Sequence, residues 1–472
     1  MEKAAINAIV EEVVRRVGLE LDRQGATPPP RGPALVQKRL GIFDELDGAV
    51  RAAQRAHEAF MAMPLEIHRR VIEAMRATAR RLADELSQRA VAETGLGNVA
   101  DKRRKNLLCA DKTPGMELLE PRAVTGDHGL MLVERAPFGV IGSITPSTNA
   151  TETVINNGIA MVAGGNAVVF NVHPSAKGVC TFLVEQLGEA IVSAGGPPEL
   201  LCAMADPTIE SAQALMHHPG VRLLVVTGGP AVVKAAMSSG KRAIAAGPGN
   251  PPAVVDETAH LEQAARDLVD GASLDNNIVC IVEKEIFAVA SIADPLKREL
   301  GRCGAWEVPA KQIARLEALI VDHGHPAREW VGKDAGVIAS AAGLRPPAGT
   351  RLLFAEVDPA HPFVQLELLM PVIGFARLPT VEDCIAAAVQ AEHGFGHTAT
   401  MHSTNVDHLS RMARLVNTSI FVKNGPSFAG LGLTGEGYTS FTIASPTGEG
   451  LTTPVSFTRE RRCTLKDAFR IV

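Results

Sequence analysis

The chain has 472 residues, of which 46% are hydrophobic and 21% are charged, an ordinary composition for a soluble globular protein. Its formal net charge of -5 gives no reason to expect nucleic acid or a membrane as a partner. Seven cysteines without a Cys-x-x-Cys pair predict reduced thiols in a cytosolic protein, and no Cys/His spacing suggests a metal site. No apolar run approaches twenty residues, so no membrane span is predicted.

Residues 1–20 predict an amphipathic helix. Ile6, Ile9, Val13 and Val17 recur at helical spacing, and charged residues fill the other face. The proline-rich residues 21–35 cannot continue a helix and predict an extended linker. This tether favours a targeting helix that binds a partner elsewhere. The alternative is a helix that docks on its own domain.

Helices and strands then follow in a regular order. Residues 46–95 predict two long helices, and turn residues within 123–134 indicate a β-hairpin. Apolar strands next alternate with helices, which predicts an α/β fold with a mostly parallel sheet. The predicted strands are 140–144, 167–170, 200–204 and 221–226, and the predicted helices are 175–194 and 209–216.

A second β/α series begins near residue 253 and ends near residue 430. It includes the apolar segments 337–340, 351–355 and 371–376. The last segment, 440–472, is rich in threonine and then basic.

Gly228 and Gly229 follow an apolar strand and precede Pro230, at what would be the first position of a helix. The free amides of a helix start attract phosphate, so this turn is a candidate phosphate site. A merely structural strand-to-helix turn is the alternative. No G-x-G-x-x-G sequence follows a strand, so a standard Rossmann site lacks its usual support.

Cys280 follows a small and amide-rich stretch and is a candidate thiol nucleophile. A buried inert thiol is the alternative. The neighbouring amides Asn276 and Asn277 fit turn formation as well as they fit catalysis.

Five motifs carry a family resemblance. Residues 144–149, 226–229, 245–251, 275–280 and 367–372 appear in the order of the aldehyde dehydrogenase superfamily and look most like its CoA-acylating branch. The C-terminal stretches 447–454 and 461–472 resemble the aldehyde dehydrogenases of bacterial microcompartments. Those enzymes process propionaldehyde or acetaldehyde.

The resemblance implies the aldehyde dehydrogenase fold, with a Rossmann-like NAD-binding domain, an α/β catalytic domain and a β oligomerisation segment. It implies that the NAD-binding domain comprises residues 36–117 and 136–247, and the catalytic domain residues 248–430. The oligomerisation segments would be residues 118–135 and 431–472.

Site residues follow from the resemblance, position by position. Cys280 would be the nucleophile, and the Asn149 amide with the Cys280 N–H would form the oxyanion hole. Glu367 would bind the nicotinamide ribose. The pyrophosphate would lie at Gly228 and Gly229, with Thr145, Pro146 and Ala246 lining the dinucleotide pocket. Asn171 stands where many relatives hold the adenosine ribose with a lysine, so NAD is favoured while NADP stays open.

The general base of hydrolytic relatives aligns with Ala245, which has no carboxylate. Without a base to activate water, the acyl group should pass to another thiol, that of coenzyme A. Glu283 and Glu285 are close in sequence, but strand alternation would turn both away from Cys280. His397 and His402 could assist the thiol proton transfer, or be structural.

We therefore expect oxidation of a short aldehyde, propionaldehyde before acetaldehyde, with NAD and CoA to acyl-CoA and NADH. A hydrolytic aldehyde dehydrogenase that makes the free acid is one alternative. A catalytically silent microcompartment cargo or scaffold protein is the other. The expected partners are a shell protein bound through residues 1–20 and further copies of the chain in a dimer or tetramer, inside a bacterial microcompartment.

Overall fold

The computed structural model describes residues 39–472. The predicted targeting helix at residues 1–20 and the whole predicted linker at residues 21–35 lie outside the described residues, so both stay predictions. Within the described part of the chain, no helix is both long and apolar enough to cross a lipid bilayer.

Three helices open the described chain. Leu46–Met61 and Leu65–Thr94 confirm the two long helices expected at residues 46–95. The sequence pattern does not predict the third helix, Val99–Lys112, which Asn98 caps by accepting a hydrogen bond from the Asp101 N–H. This third helix packs against the second and carries two buried lysines.

The first sheet has six strands, all paired in parallel. Chain order reverses at Val140–Ile144, because the next two strands add on one side of it and Leu223–Thr227 adds on the other. Ligands of open parallel sheets bind beyond the carboxyl ends of the strands at such a switch point. Across the sheet, the strands are Ile42–Phe43, Leu201–Met204, Ala167–Asn171, Val140–Ile144, Leu223–Thr227 and Ala243–Ala246.

The helices of this region follow the strands as expected. The predicted helices and strands are confirmed, with boundaries that move by one or two residues. The helices are Ala150–Ala163, Lys177–Ser193, Ile209–His217 and Pro230–Met237.

The second sheet has seven parallel strands and contains the predicted second β/α series. The apolar segment 337–340 belongs to a helix of this series, Ala335–Ala341. Across the sheet, the strands are Ala305–Glu307, Leu352–Glu356, Val372–Leu378, Glu285–Val289, Pro252–Val255, Thr398–His402 and Ile420–Lys423. The helices are Leu261–Ser273, Ala290–Arg302, Ala310–Ile320, Ala335–Ala341, Pro362–Gln365, Val381–Ala391 and Val406–Val416.

A third, antiparallel sheet confirms the predicted hairpin and adds a strand from the C-terminal segment. Its strands are Arg122–Gly126, Gly129–Pro137 and Thr458–Lys466, and most of their residues are exposed. Two short ribbons pair Val321–Asp322 with His325–Pro326 and Ile443–Ala444 with Gly450–Leu451. The strands of the first sheet lie before residue 247 and those of the second after residue 251, while the division into domains stays a prediction.

Candidate active site

Cys280 lies on a connection between the helix Leu261–Ser273 and the strand Glu285–Val289. The connection begins with three consecutive left-handed residues, Asp275, Asn276 and Asn277, with φ of 47°, 55° and 64°. Asp and Asn tolerate this conformation better than other residues with side chains. The amide of Asn276 donates to Gly332 O, and that of Asn277 donates to Ala272 O and Glu283 O. These bonds support turn formation as the role of the amide pair.

The Cys280 side chain is only partly buried, while Cys109, Cys180, Cys202 and Cys384 are buried. Burial, together with the charge of Glu367, raises the pKa of the Cys280 thiol to about 12, although Lys284 and Lys105 act to lower it. The thiolate fraction of the resting protein is therefore below the few per cent of an ordinary cysteine. Deprotonation must accompany the attack of the thiol on a substrate.

Gly249 brings three of the candidate residues together. A Cβ at this position would lie 2.9 Å from Cys280 O and 2.9 Å from Cγ of His397. The backbone of Gly249 also hydrogen-bonds the carboxyl group of Glu367. Cys280, His397 and Glu367 therefore surround a position at which only glycine fits.

Lys284 is a functional candidate that the sequence analysis missed. It is buried, and its Nζ donates to Asn277 O at 2.7 Å, Asn277 Oδ1 at 2.6 Å and Val279 O at 3.2 Å. Burial lowers its pKa and raises that of Glu367, while their opposite charges act against both shifts. Three acceptor oxygens match the three N–H donors of an ammonium group, so we assign the charged form. The sequence signal is a lysine between two glutamates, Glu283 and Glu285, with apolar residues on either side.

Asn149 precedes the helix Ala150–Ala163 and is buried. Its Oδ1 accepts a hydrogen bond of 2.7 Å from Nζ of Lys105. Lys105 also contributes to the electrostatics of Cys280, which links Asn149 to the surroundings of the thiol.

The two acidic neighbours of Lys284 serve other roles. Residues 278–284 are not a strand, so the alternation argument does not apply to them; the strand begins at Glu285. The carboxylate of Glu283 accepts from the backbone and hydroxyl of Ser427. Glu285 is buried, and burial raises its pKa well above the ordinary value. Neither acts on the pKa of Cys280 as Glu367 does.

The two histidines are separated by the strand Thr398–His402. Four strand rises place its ends about 13 Å apart. His397 lies beside Gly249, close to the backbone oxygen of Cys280. His402 is at the other end of the strand, where it pairs with Val255 of the neighbouring strand. Burial lowers the pKa of His397 to about 4, assisted by Lys284, so its imidazole is neutral. Its Nδ1 lies 2.9 Å from Thr398 Oγ1, and its Nε2 is buried without a hydrogen-bond partner among residues 39–472.

The expected dinucleotide residues lie at the switch point of the first sheet. Thr145 and Pro146 follow Val140–Ile144, and Gly228 and Gly229 follow Leu223–Thr227. Ala246 ends the outermost strand of that side. Gly229 precedes the helix Pro230–Met237, and a Cβ there would meet nothing within 4 Å. The open backbone at a helix start fits a bound phosphate.

Two further observations concern this pocket. The buried Oγ1 of Thr145 has no hydrogen-bond partner in the described part of the chain, as expected for a group that awaits a ligand. Asn171 is already engaged, because its Oδ1 accepts from Ser211 Oγ at 2.5 Å and its Nδ2 donates to Thr208 O at 3.4 Å. Its side chain is therefore held by protein partners, and its contact with the adenosine ribose stays a prediction.

Position 245 carries no base. Ala245 is fully buried in the strand Ala243–Ala246, and its N–H donates to Thr447 Oγ1. A carboxylate there would have to enter a closed environment.

Comparison with known proteins agrees with this fold. The model of the "Aldehyde dehydrogenase family" matches residues 29–303. The chain is 49% identical to the acetaldehyde dehydrogenase (acetylating) EutE of Salmonella typhimurium, over 98% of this chain and 99% of that protein. The chain therefore belongs to the aldehyde dehydrogenase family.

Solved structures define the branch. The propionaldehyde dehydrogenase of Rhodopseudomonas palustris, with bound CoA and an acylated cysteine, is 47% identical with a TM-score of 0.90, covering 92% of this chain and 99% of that one. A propionaldehyde dehydrogenase from the fucose utilisation microcompartment of Clostridium phytofermentans is 43% identical, with a TM-score of 0.90, over 92% and 100%. The predicted family and fold class are confirmed.

Proposed function

We propose that this protein oxidises a short aldehyde with NAD and CoA to acyl-CoA and NADH through a thioester on Cys280. The chain is a CoA-acylating aldehyde dehydrogenase, an oxidoreductase that uses NAD and CoA. Propionaldehyde is the proposed substrate, and acetaldehyde is the alternative, because relatives of both names resemble the chain. The observation that carries the proposal is a partly buried Cys280 that lies with His397 and Glu367 around Gly249, while position 245 holds an alanine and no carboxylate.

In the first step the Cys280 sulfur attacks the aldehyde carbon, the S–H proton leaves to solvent, and the aldehyde oxygen becomes negative. The pKa of the partly buried thiol is high, and the charges of Lys284 and Lys105 lower it. The Nδ2 of Asn149 and the N–H of Cys280 are the proposed donors to the oxygen that becomes negative in this step. Removing one such donor typically costs about 10²–10³ in rate.

Bound NAD supplies a hydride acceptor and CoA a thiol that takes up the acyl group. Glu367 and the open turn at Gly228 and Gly229 are the proposed contacts of the dinucleotide. His397 is the proposed acceptor of the CoA thiol proton, because its neutral Nε2 lacks a partner among residues 39–472 and its ring, like the backbone oxygen of Cys280, lies against Gly249. His402 is not proposed, since it lies at the far end of its strand.

A CoA-omission assay distinguishes the rival activities. With propionaldehyde and NAD, we expect one equivalent of NADH per active site without CoA, and continuous NADH and propionyl-CoA formation with it. Continuous NADH and propionate without CoA would establish the hydrolytic alternative. No NADH with aldehydes of two to five carbons would establish the silent cargo protein, for which Cys280→Ala is the matched inactive control.

We also propose that residues 1–20 bind a shell protein and that the antiparallel three-stranded sheet joins copies of the chain in a dimer or tetramer. The exposed faces of that sheet support the second proposal. The microcompartment source of a close structural neighbour supports the first, and with it a location inside a microcompartment. Light scattering of the pure protein tests the oligomer, and co-purification with shells tests the targeting.

A further inference from the structure

We propose that Lys105 is a positioning residue that fixes which end of the Asn149 amide faces the reacting aldehyde. The inference rests on the proposed role of Asn149 as a donor to the oxyanion. Lys105 itself would not touch the substrate, because its Nζ is enclosed by protein oxygens.

Lys105 is buried on the helix Val99–Lys112 and makes three close polar contacts. Its Nζ lies 2.7 Å from Asn149 Oδ1, 2.6 Å from Asp275 Oδ2 and 3.0 Å from Glu152 Oε1. An ammonium group has three N–H donors and no acceptor. The contact to Asn149 Oδ1 is a hydrogen bond and the contacts to the two carboxylates are ion pairs, so oxygens enclose the ammonium group.

The orientation of the Asn149 amide follows from this donor-only neighbour. The two ends of a carboxamide have nearly the same shape, so packing alone distinguishes them poorly. A lysine, however, can only be met by the oxygen end. The Nδ2 group must then point away from Lys105, and Nδ2 makes no hydrogen bond to the described residues. It remains available as a donor to a ligand.

Four buried charged residues, Lys102, Lys105, Glu152 and Asp275, form a cluster whose charges keep this arrangement in place. Burial alone would lower the pKa of Lys105, but the carboxylates of Asp275 and Glu152 raise it above the ordinary value. Burial likewise raises the pKa of Asp275, and Lys105 and Lys102 bring it below the ordinary value. Lys105 therefore stays charged across the pH range of an enzyme assay.

The same cluster connects both proposed oxyanion donors. Asp275 is the first residue of the left-handed turn that leads to Cys280, and its Oδ1 accepts from the N–H of Asn98. Lys105 bonds to this turn and to Asn149 at once. It thus fixes the amide relative to the segment whose Cys280 N–H is the second donor.

Lys102 provides a matched control. It lies one turn earlier on the same helix, is equally buried, and contacts the same Asp275 Oδ2 at 3.1 Å. Its other contact is Thr148 O at 3.3 Å, a backbone carbonyl. Lys102→Met therefore removes a buried cation from the same cluster without removing the contact to the Asn149 amide.

The test is a double-mutant cycle on the rate of the first NADH turnover. We compare Lys105→Met, Asn149→Ala and the double variant by stopped flow, with Lys102→Met as control and the melting temperature of each. We expect Lys105→Met to reduce the rate of the first NADH turnover by about 10²-fold in the wild-type background. When Lys105→Met is added to Asn149→Ala, we expect this rate to fall by less than about 3-fold further. Lys102→Met should lose less than about 10-fold.

If the Lys105→Met variant does not fold, the variant that combines Lys105→Met with Glu152→Gln takes its place in the cycle, because it removes one positive and one negative charge together. Equal losses in the wild-type and Asn149→Ala backgrounds would overturn the positioning role, as would a Lys102→Met loss as large as that of Lys105→Met. An Asn149→Ala variant with an unimpaired first turnover would instead overturn the proposed oxyanion role, and the inference with it.

Discussion

Substituting Gly249 by alanine tests whether Cys280 and His397 both lie as close to Gly249 as the structure describes. The added Cβ would lie 2.9 Å from Cys280 O and 2.9 Å from Cγ of His397, and both distances are shorter than ordinary van der Waals contacts, which begin at 3.4 Å. One neighbour is backbone and the other is a buried ring, so neither can simply rotate away. The site must therefore shift.

The size of the effect follows from the required movement. Restoring ordinary contact needs a displacement of about 0.5 Å, and a misplacement of about 1 Å costs on the order of 10²-fold in rate. We expect the rates of the first NADH turnover and of acyl-CoA release to fall by about 10-fold, half of that cost on a logarithmic scale. Overpacking should also cost about 1–3 kcal/mol of unfolding free energy.

Stopped-flow absorbance at the NADH band and quantification of propionyl-CoA measure the two rates, and thermal denaturation measures stability. Gly301→Ala is the matched control, because Gly301 is exposed on the helix Ala290–Arg302 and a Cβ there meets nothing within 4 Å. A Gly249→Ala variant with wild-type rates and an unchanged melting temperature would refute the close approach of Cys280 O and the His397 ring to Gly249.

Three further predictions concern the missing base at position 245, the charge of Lys284 and residues 1–20. Ala245→Glu should give slow NADH formation without CoA, detected with propionate by chromatography; an unchanged need for CoA would mean that water access limits hydrolysis. Lys284 lowers the pKa of the Cys280 thiol, so Lys284→Met should shift the pH profile of the first NADH turnover to higher pH, and an unshifted profile would contradict this. Deleting residues 1–20 should leave kcat and the melting temperature unchanged and abolish co-purification with shells, whereas a lowered melting temperature with shells retained would contradict targeting.

Local patterns predicted much of the fold. Uninterrupted apolar runs such as residues 167–170 indicated buried parallel strands, and Gly228 and Gly229 marked the turn at the switch point. The helix Val99–Lys112 was missed for a physical reason. Its inward positions include Lys102 and Lys105, so charged residues occupy the face where an amphipathic pattern expects apolar ones.

The site was harder to predict because its contacts join distant segments. Cys280 and Asn149 could be named from motifs, but the network of Lys105 with Asn149 and Asp275 connects three separate elements. Strand alternation failed for Glu283 because the chain there is not yet a strand. Only the three-dimensional position separates His397, beside Gly249, from His402.

The central claim is that aldehyde oxidation proceeds through a thioester on Cys280 that CoA, and not water, resolves. The most direct test mixes the protein with propionaldehyde and NAD without CoA, quenches in acid and maps the digested peptides by mass spectrometry. We predict one NADH per site and one propionyl group on the peptide that contains Cys280, removed when CoA is added before the quench. Continued NADH turnover without CoA, or a burst of NADH with unmodified Cys280, would contradict the account.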